Sequence, residues 1–250
     1  MPRGRSLFIV DVRDQLEGGA PTALEVGAKT CKSGDAFHRG LLHLGSTLAE
    51  HGLRRVVAPG ARPSLLDGVD AARGWALDTV DLGTVTRERR RCFDALSSVA
   101  EKTWQAVSVA ATQGPRGPHT VLDEHAATIV ERYTLLSAHY AASAVVLLLD
   151  GVSQPALLGR LVEQVAGARA YQGTGLGAAR DAAFRSRAVE QAQWESERLG
   201  RADHSETLIA MQAFHEYLGV RWKTLYDAER AYIEQFVDWA LPEKASRAST

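Results

Sequence analysis

One stretch near the C-terminus constrains the fold more than any other. Residues 203–240 place His204, Leu208, Met211, His215, Leu218, Trp222, Leu225, Glu229, Tyr232, Phe236 and Trp239 at alternating steps of four and three. Residues at that spacing stack along one face of an α-helix. Asp203 followed three residues later by Glu206 has the spacing of a capping box, and Pro242 marks the stop. The pattern predicts a helix roughly 55 Å long at about 1.5 Å per residue. Its aromatic stripe, with Trp222, Tyr232, Phe236 and Trp239, is too apolar to be left in water and predicts burial in the core or against a partner. Gly219, in the middle, costs about 1 kcal/mol relative to alanine and predicts a kink or a corner.

Three polar residues interrupt this stripe: His204, His215 and Glu229. Buried polar groups of this kind are normally hydrogen-bonded to side chains of other helices. His215 and Glu229 stand fourteen residues apart, about 21 Å along a helix. They meet in one site only if the chain folds back at Gly219.

Upstream, helical patterns cover 86–112, 120–149, 153–167 and 178–199. Thr86, Thr120 and Ser153 stand at N-cap positions, and Pro155 suits a first turn. The run 141–149 is apolar on every side, which places it at the centre of the assembly. Gly167 and the run Gln172-Gly-Thr-Gly-Leu-Gly177 read as a helix stop and an interhelical linker. The expected fold class is mainly α: a helical bundle of five or six helices over 84–242, with a flexible tail at 243–250.

The first 83 residues read differently. Residues 6–12 have the pattern of a buried strand, and 13–34 that of a loop. Asp35 caps a helix ending at His51, with Gly52 just past it. Short strands over 54–58 and 77–82 flank a short helix over 63–75. These elements predict a small N-terminal α/β segment, 1–83, packed on the bundle. Residues 7–15 (LFIVDVRDQ) resemble the opening strand of isochorismatase-like hydrolases, where an aspartate at the strand end, here Asp11, serves catalysis. That resemblance also implies a lysine and a nucleophilic cysteine on further strand–helix units. Cys92 instead falls in a helical pattern, and the likeness stops after nine residues. The run Gly27-Ala28-Lys29-Thr30 lacks the glycine before lysine that a phosphate loop requires.

Net charge is −1, so no global field draws nucleic acid or an anionic membrane. Two cysteines cannot build a disulfide framework, and the start lacks the apolar run of a signal peptide. The run 141–149 falls short of the about 20 residues that cross a bilayer. A cytoplasmic protein is expected, and the richness in alanine, arginine and glycine is that of a bacterial coding sequence of high GC content.

Arg87, Arg89, Arg90 and Arg91 crowd what reads as the first turn of a helix. Cations there oppose the helix dipole by a few tenths to about 1 kcal/mol each, which calls for a negative partner. Aromatic neighbours are missing, which disfavours nucleic acid. Cys31 stands beside Lys29 and Lys32, a setting that lowers a thiol pKa. His139, His215 and Glu229 form a candidate polar core site. Neither Glu-x-x-His nor His-Glu-x-x-His occurs around the helical histidines, so no metal or other cofactor is expected.

The leading expectation is a non-enzymatic protein-binding factor: an adaptor, a regulator or an immunity-type inhibitor. It would act through the aromatic helix (Trp222, Trp239) and the basic helix start. Its partner would be another protein, with a homodimer as the simplest version. The alternative is an enzyme of unknown class, with Asp11, His38 and the bundle histidines converging between the N-terminal segment and the bundle.

Overall fold

The computed structural model describes residues 21–54, 56, 62–112, 118–199 and 204–241. Among them are seven α-helices: α1 (Ala23–Thr30), α2 (Ala36–Leu53), α3 (Arg62–Ala76), α4 (Leu82–Thr112), α5 (Pro118–Asp150), α6 (Leu161–Leu199) and α7 (His204–Ala240). A 3-10 segment, Pro155–Arg160, leads into α6. The mainly helical reading holds. The α/β reading of the N-terminal segment does not: no strand occurs among the described residues, although 6–12 lies outside them.

Three corrections share a physical cause. Within the expected 13–34 loop, Thr22 caps α1 by accepting a hydrogen bond from the Glu25 N–H at 3.1 Å, and Leu24 and Ala28 are buried. The proposed 77–82 strand is a turn, with Asp78 at φ 58° and paired with Arg39, followed by the start of α4. Asp81, not Thr86, caps α4, accepting from the Thr84 N–H at 2.7 Å. In each case a capping side chain satisfies the free N–H groups of a helix start. Of the 54–58 strand, Arg54 is a turn residue, Val56 is irregular and the rest lies outside the described residues. The helix from Asp35 holds, but it runs through Gly52 to Leu53.

The expected 153–167 helix begins as the 3-10 segment, and from Leu161 it runs on into the expected 178–199 helix as one helix, α6; the glycines between them are packing notches rather than a linker. A Cβ on Gly167 would stand 2.6 Å from the Tyr140 ring of α5. One on Gly173 would meet Leu225 at 3.1 Å, and one on Gly177 the Arg221 guanidinium at 2.3 Å, both on α7. The small residues let α5 and α7 lie close on either side of α6.

The centre is α5, as its all-round apolarity predicts. Ala141, Ala142, Ala144, Val145 and Leu148 are fully buried, between α6, α4 and the α2–α3 pair. The stretch 126–151 is long and apolar enough by composition to cross a bilayer, longer than the 141–149 run suggested; 56% of its most apolar window is buried against neighbouring helices. A second, smaller cluster of Ile129, Ala178, Phe214 and Leu218 holds the other end of the α5–α6–α7 layer.

Helix α7 continues through Gly219 without a break. Among its described side chains the buried line is Phe214, Leu218, Trp222, Tyr226, Ile233 and Val237, which departs from the four-three stripe at Tyr232 and Trp239. A strict four-three alternation averages 3.5 residues per turn and drifts about 20° per heptad on a straight helix. Over the length of α7 that drift carries Tyr232 and Trp239 out of the core.

Candidate functional site

Tyr232 is 59% exposed and Trp239 82%, although both stand in an ordered helix. With Tyr217, Val220, Thr224, Ala228, Ala231 and Gln235, all exposed, they form an outer face of α7, on which the half-buried Arg221, paired with Asp181 at 3.0 Å, donates to the Tyr217 hydroxyl at 2.9 Å. From Tyr217 to Trp239 this face is about 33 Å long at helical rise. Ala228 sits at its midpoint. Trp222, expected to share the binding role, is instead 7% exposed and stacks on Tyr226 at 5.3 Å between ring centroids.

Behind that face lies a polar and aromatic seam. Glu229 lies 3.4 Å from Nε2 of His51 (α2) and 3.5 Å from Nε of Arg169 (α6). The His51 hydrogen bond lowers the Glu229 carboxyl below its ordinary range, against a contrary push from burial, and the Arg169 charge adds to it. The contact to Arg169 is an ion pair rather than a hydrogen bond, because Arg169 Nε has no hydrogen-bond partner. Gln172 Nε2, Trp222 Nε1 and Tyr226 OH, also on α6 and α7, are buried in the same condition among the described residues. Tyr171 packs its ring against those of Tyr133, Tyr140 and Trp222. Burial raises the pKa of Tyr171 and of Tyr226, so both phenols stay protonated.

The candidate polar core site is not assembled. His215 and Glu229 lie on one unbroken helix, so about 21 Å separates them along its axis. His139 packs edge-on to Tyr140, and burial pushes its imidazole below its ordinary pKa. Among the described residues no three His, Cys, Asp or Glu side chains gather to hold a metal ion.

Of the groups the enzyme reading would bring together, the described residues place His38. His38 is fully buried, with Nδ1 accepting from the Gly34 N–H at 2.9 Å and Nε2 at 2.8 Å from the Gly151 carbonyl. Both ring nitrogens are occupied by backbone. Asp11 lies outside the described residues. The thiol pKa of Cys31 is raised, not lowered, by partial burial and by Asp35. Cys92 is buried against Gly68, and its pKa is pushed up to about 12.

The four arginines sit past the first turn of α4, because the helix begins at Leu82. The clash with the helix dipole therefore disappears. Arg89 forms a two-point pair with Asp150 at the end of α5, at 2.5 and 3.3 Å. Arg91 and Arg87 share the buried carboxylate of Glu88, at 3.1 and 3.5 Å. Arg90 is exposed, with no carboxylate partner among the described residues.

Sequence reasoning missed a second exposed stripe, on α6: Leu176, Arg180, Phe184, Arg187, Gln191, Trp194 and Arg198. Its steps of three and four were legible, but the reading of 172–177 as a linker hid their continuity with the buried half of the helix. Comparison with protein-family models, with curated proteins and with solved structures finds no match to this chain.

Proposed function

We propose that this chain is a non-enzymatic protein-binding factor whose docking face is the outer side of α7. One observation carries the reading. Trp239 and Tyr232, the latter with its ring tilted against that of His51 at 5.8 Å between centroids, are exposed on a long helix that is fixed by the buried Ile233 and Val237. Large aromatic rings held on a rigid element at low entropic cost are the anchors that dominate protein interfaces.

The simplest occupant is a second copy. An antiparallel copy centred on Ala228 sets Tyr217 against Trp239 and Thr224 against Tyr232, with the smallest side chain at the crossing. No like charges oppose each other along that line. Arg89 ties α4 to Asp150 of α5 and Arg91 pairs within α4 with Glu88, which leaves Arg90 as the arginine to reach a partner.

Sedimentation velocity tests this directly. The wild-type chain should run as a dimer of the 27.1 kDa polypeptide. The Tyr232→Asp/Trp239→Asp variant should run as a folded monomer. A wild-type monomer at every concentration removes the self-association version.

A further inference from the structure

We propose that the exposed arginine–aromatic stripe of α6 is a docking surface for an acidic amphipathic helix of a protein partner. The inference rests on the binding-factor reading but uses a different helix from the α7 face, so the two fail separately. Phe184 is 74% exposed, Leu176 61% and Trp194 55%. Between them stand Arg180, Arg187 and Arg198, all exposed and none with a carboxylate partner among the described residues. Arg198 lies over the Trp194 ring, its guanidinium carbon 4.3 Å from the ring centroid. That contact holds a planar donor fork in place while leaving its edge free for a carboxylate.

Charge and spacing choose the occupant. The arginines elsewhere on this hairpin are used internally: Arg221 pairs with Asp181 at 3.0 Å, Arg169 faces Glu229 at 3.5 Å, and Arg185 covers the Phe214 ring. The α6 stripe is the contrast, since its three arginines have no carboxylate partner among the described residues. Arg180, Arg187 and Arg198 are separated by seven and eleven residues. Both are repeats that return a residue to the same side of a packed helix pair. A partner helix lying along α6 would meet them with acidic residues at those repeats and cover the rings with apolar ones. A second copy of the same stripe would bring guanidinium against guanidinium. Nucleic acid is disfavoured by the exposed Glu190 and Glu197 along one edge and by the net charge of −1.

The test is selection from a displayed library of helical peptides with randomised surfaces, panned on the full-length chain. The recovered peptides should be acidic, with carboxylates at seven- or eleven-residue repeats. Their affinity should fall about tenfold or more for Arg180→Glu/Arg187→Glu and for Phe184→Ala/Trp194→Ala. Circular dichroism of both variants should match the wild type, because every substituted residue is exposed. Three results overturn the proposal: recovered peptides that are neutral or basic, equal binding to the variants, or no recovery. Tighter binding of a short single-stranded oligonucleotide than of any peptide would reassign the stripe to nucleic acid. None of these results bears on dimerisation through α7.

Discussion

His38 and Gly151 are joined across 113 residues by one buried hydrogen bond, 2.8 Å from imidazole Nε2 to the carbonyl oxygen. Because Nδ1 accepts from the Gly34 N–H, Nε2 must carry the proton and donate. The ring thus fastens the start of α2 to the end of α5. His38→Ala would strand the part-buried Gly34 N–H and the buried Gly151 carbonyl and open a cavity. Urea denaturation should show a loss of about 2–4 kcal/mol. A loss below about 0.5 kcal/mol would mean that the junction is held by something else.

Two glycines one helix apart should respond with opposite sign. Gly167 faces the Tyr140 ring at a distance no Cβ tolerates, whereas Gly219 has nothing within 4 Å. Gly167→Ala should destabilise by about 1–3 kcal/mol through overpacking. Gly219→Ala should stabilise by about 0.4–1 kcal/mol, because alanine loses less backbone freedom in a helix. Thermal melts of the pair check both signs.

Acid should lower stability over two pH windows. The His139 pKa is lowered in the fold by burial. As pH drops below about 6.5, the unfolded chain therefore takes up that proton first, and stability begins to fall. The Glu229 carboxyl is lowered by His51 and Arg169. Its contribution is full above the ordinary carboxylate value, about 4.3, and is lost as pH falls below it. His139→Gln should flatten the upper limb and Glu229→Gln the lower one in stability measured against pH.

The seam between α6 and α7 holds buried polar atoms with no hydrogen-bond partner among the described residues. Tyr226 is 3% exposed, and its hydroxyl has no hydrogen-bond partner among the described residues. A buried unpartnered hydroxyl costs about 1–3 kcal/mol. Tyr226→Phe should therefore leave stability unchanged or raise it, while keeping the stack on Trp222. A melting temperature lowered by several degrees would show that the hydroxyl is satisfied in solution.

Much of this fold was legible because helix signals are local. The cap at Asp35, the apolar 141–149 run and the long 203–240 pattern each stand where the structure has a helix. What failed was non-local. Glycines read as stops in Gly167–Gly177 because nothing in the chain announces that Tyr140, Leu225 and Arg221 will need the space. The arginines looked unneutralised because Asp150 lies 61 residues beyond Arg89. The aromatic stripe read as one face, buried in the core or against a partner, because a 3.5-residue repeat matches a helix over two turns and departs from it over ten. That departure is what exposes Tyr232 and Trp239, so the candidate face was written in the sequence as a slow drift of phase.

The most direct test of the binding reading is photo-crosslinking from position 239. Benzoylphenylalanine replaces Trp239 in the full-length chain expressed in cells, with Asp70, an exposed residue of α3, as the control position. The account predicts a discrete protein adduct from position 239, at twice the chain mass if the partner is a second copy, and none from position 70. The adduct should vanish when Tyr232→Asp is added. A folded chain that gives no adduct from position 239, or the same adducts from both positions, would contradict it.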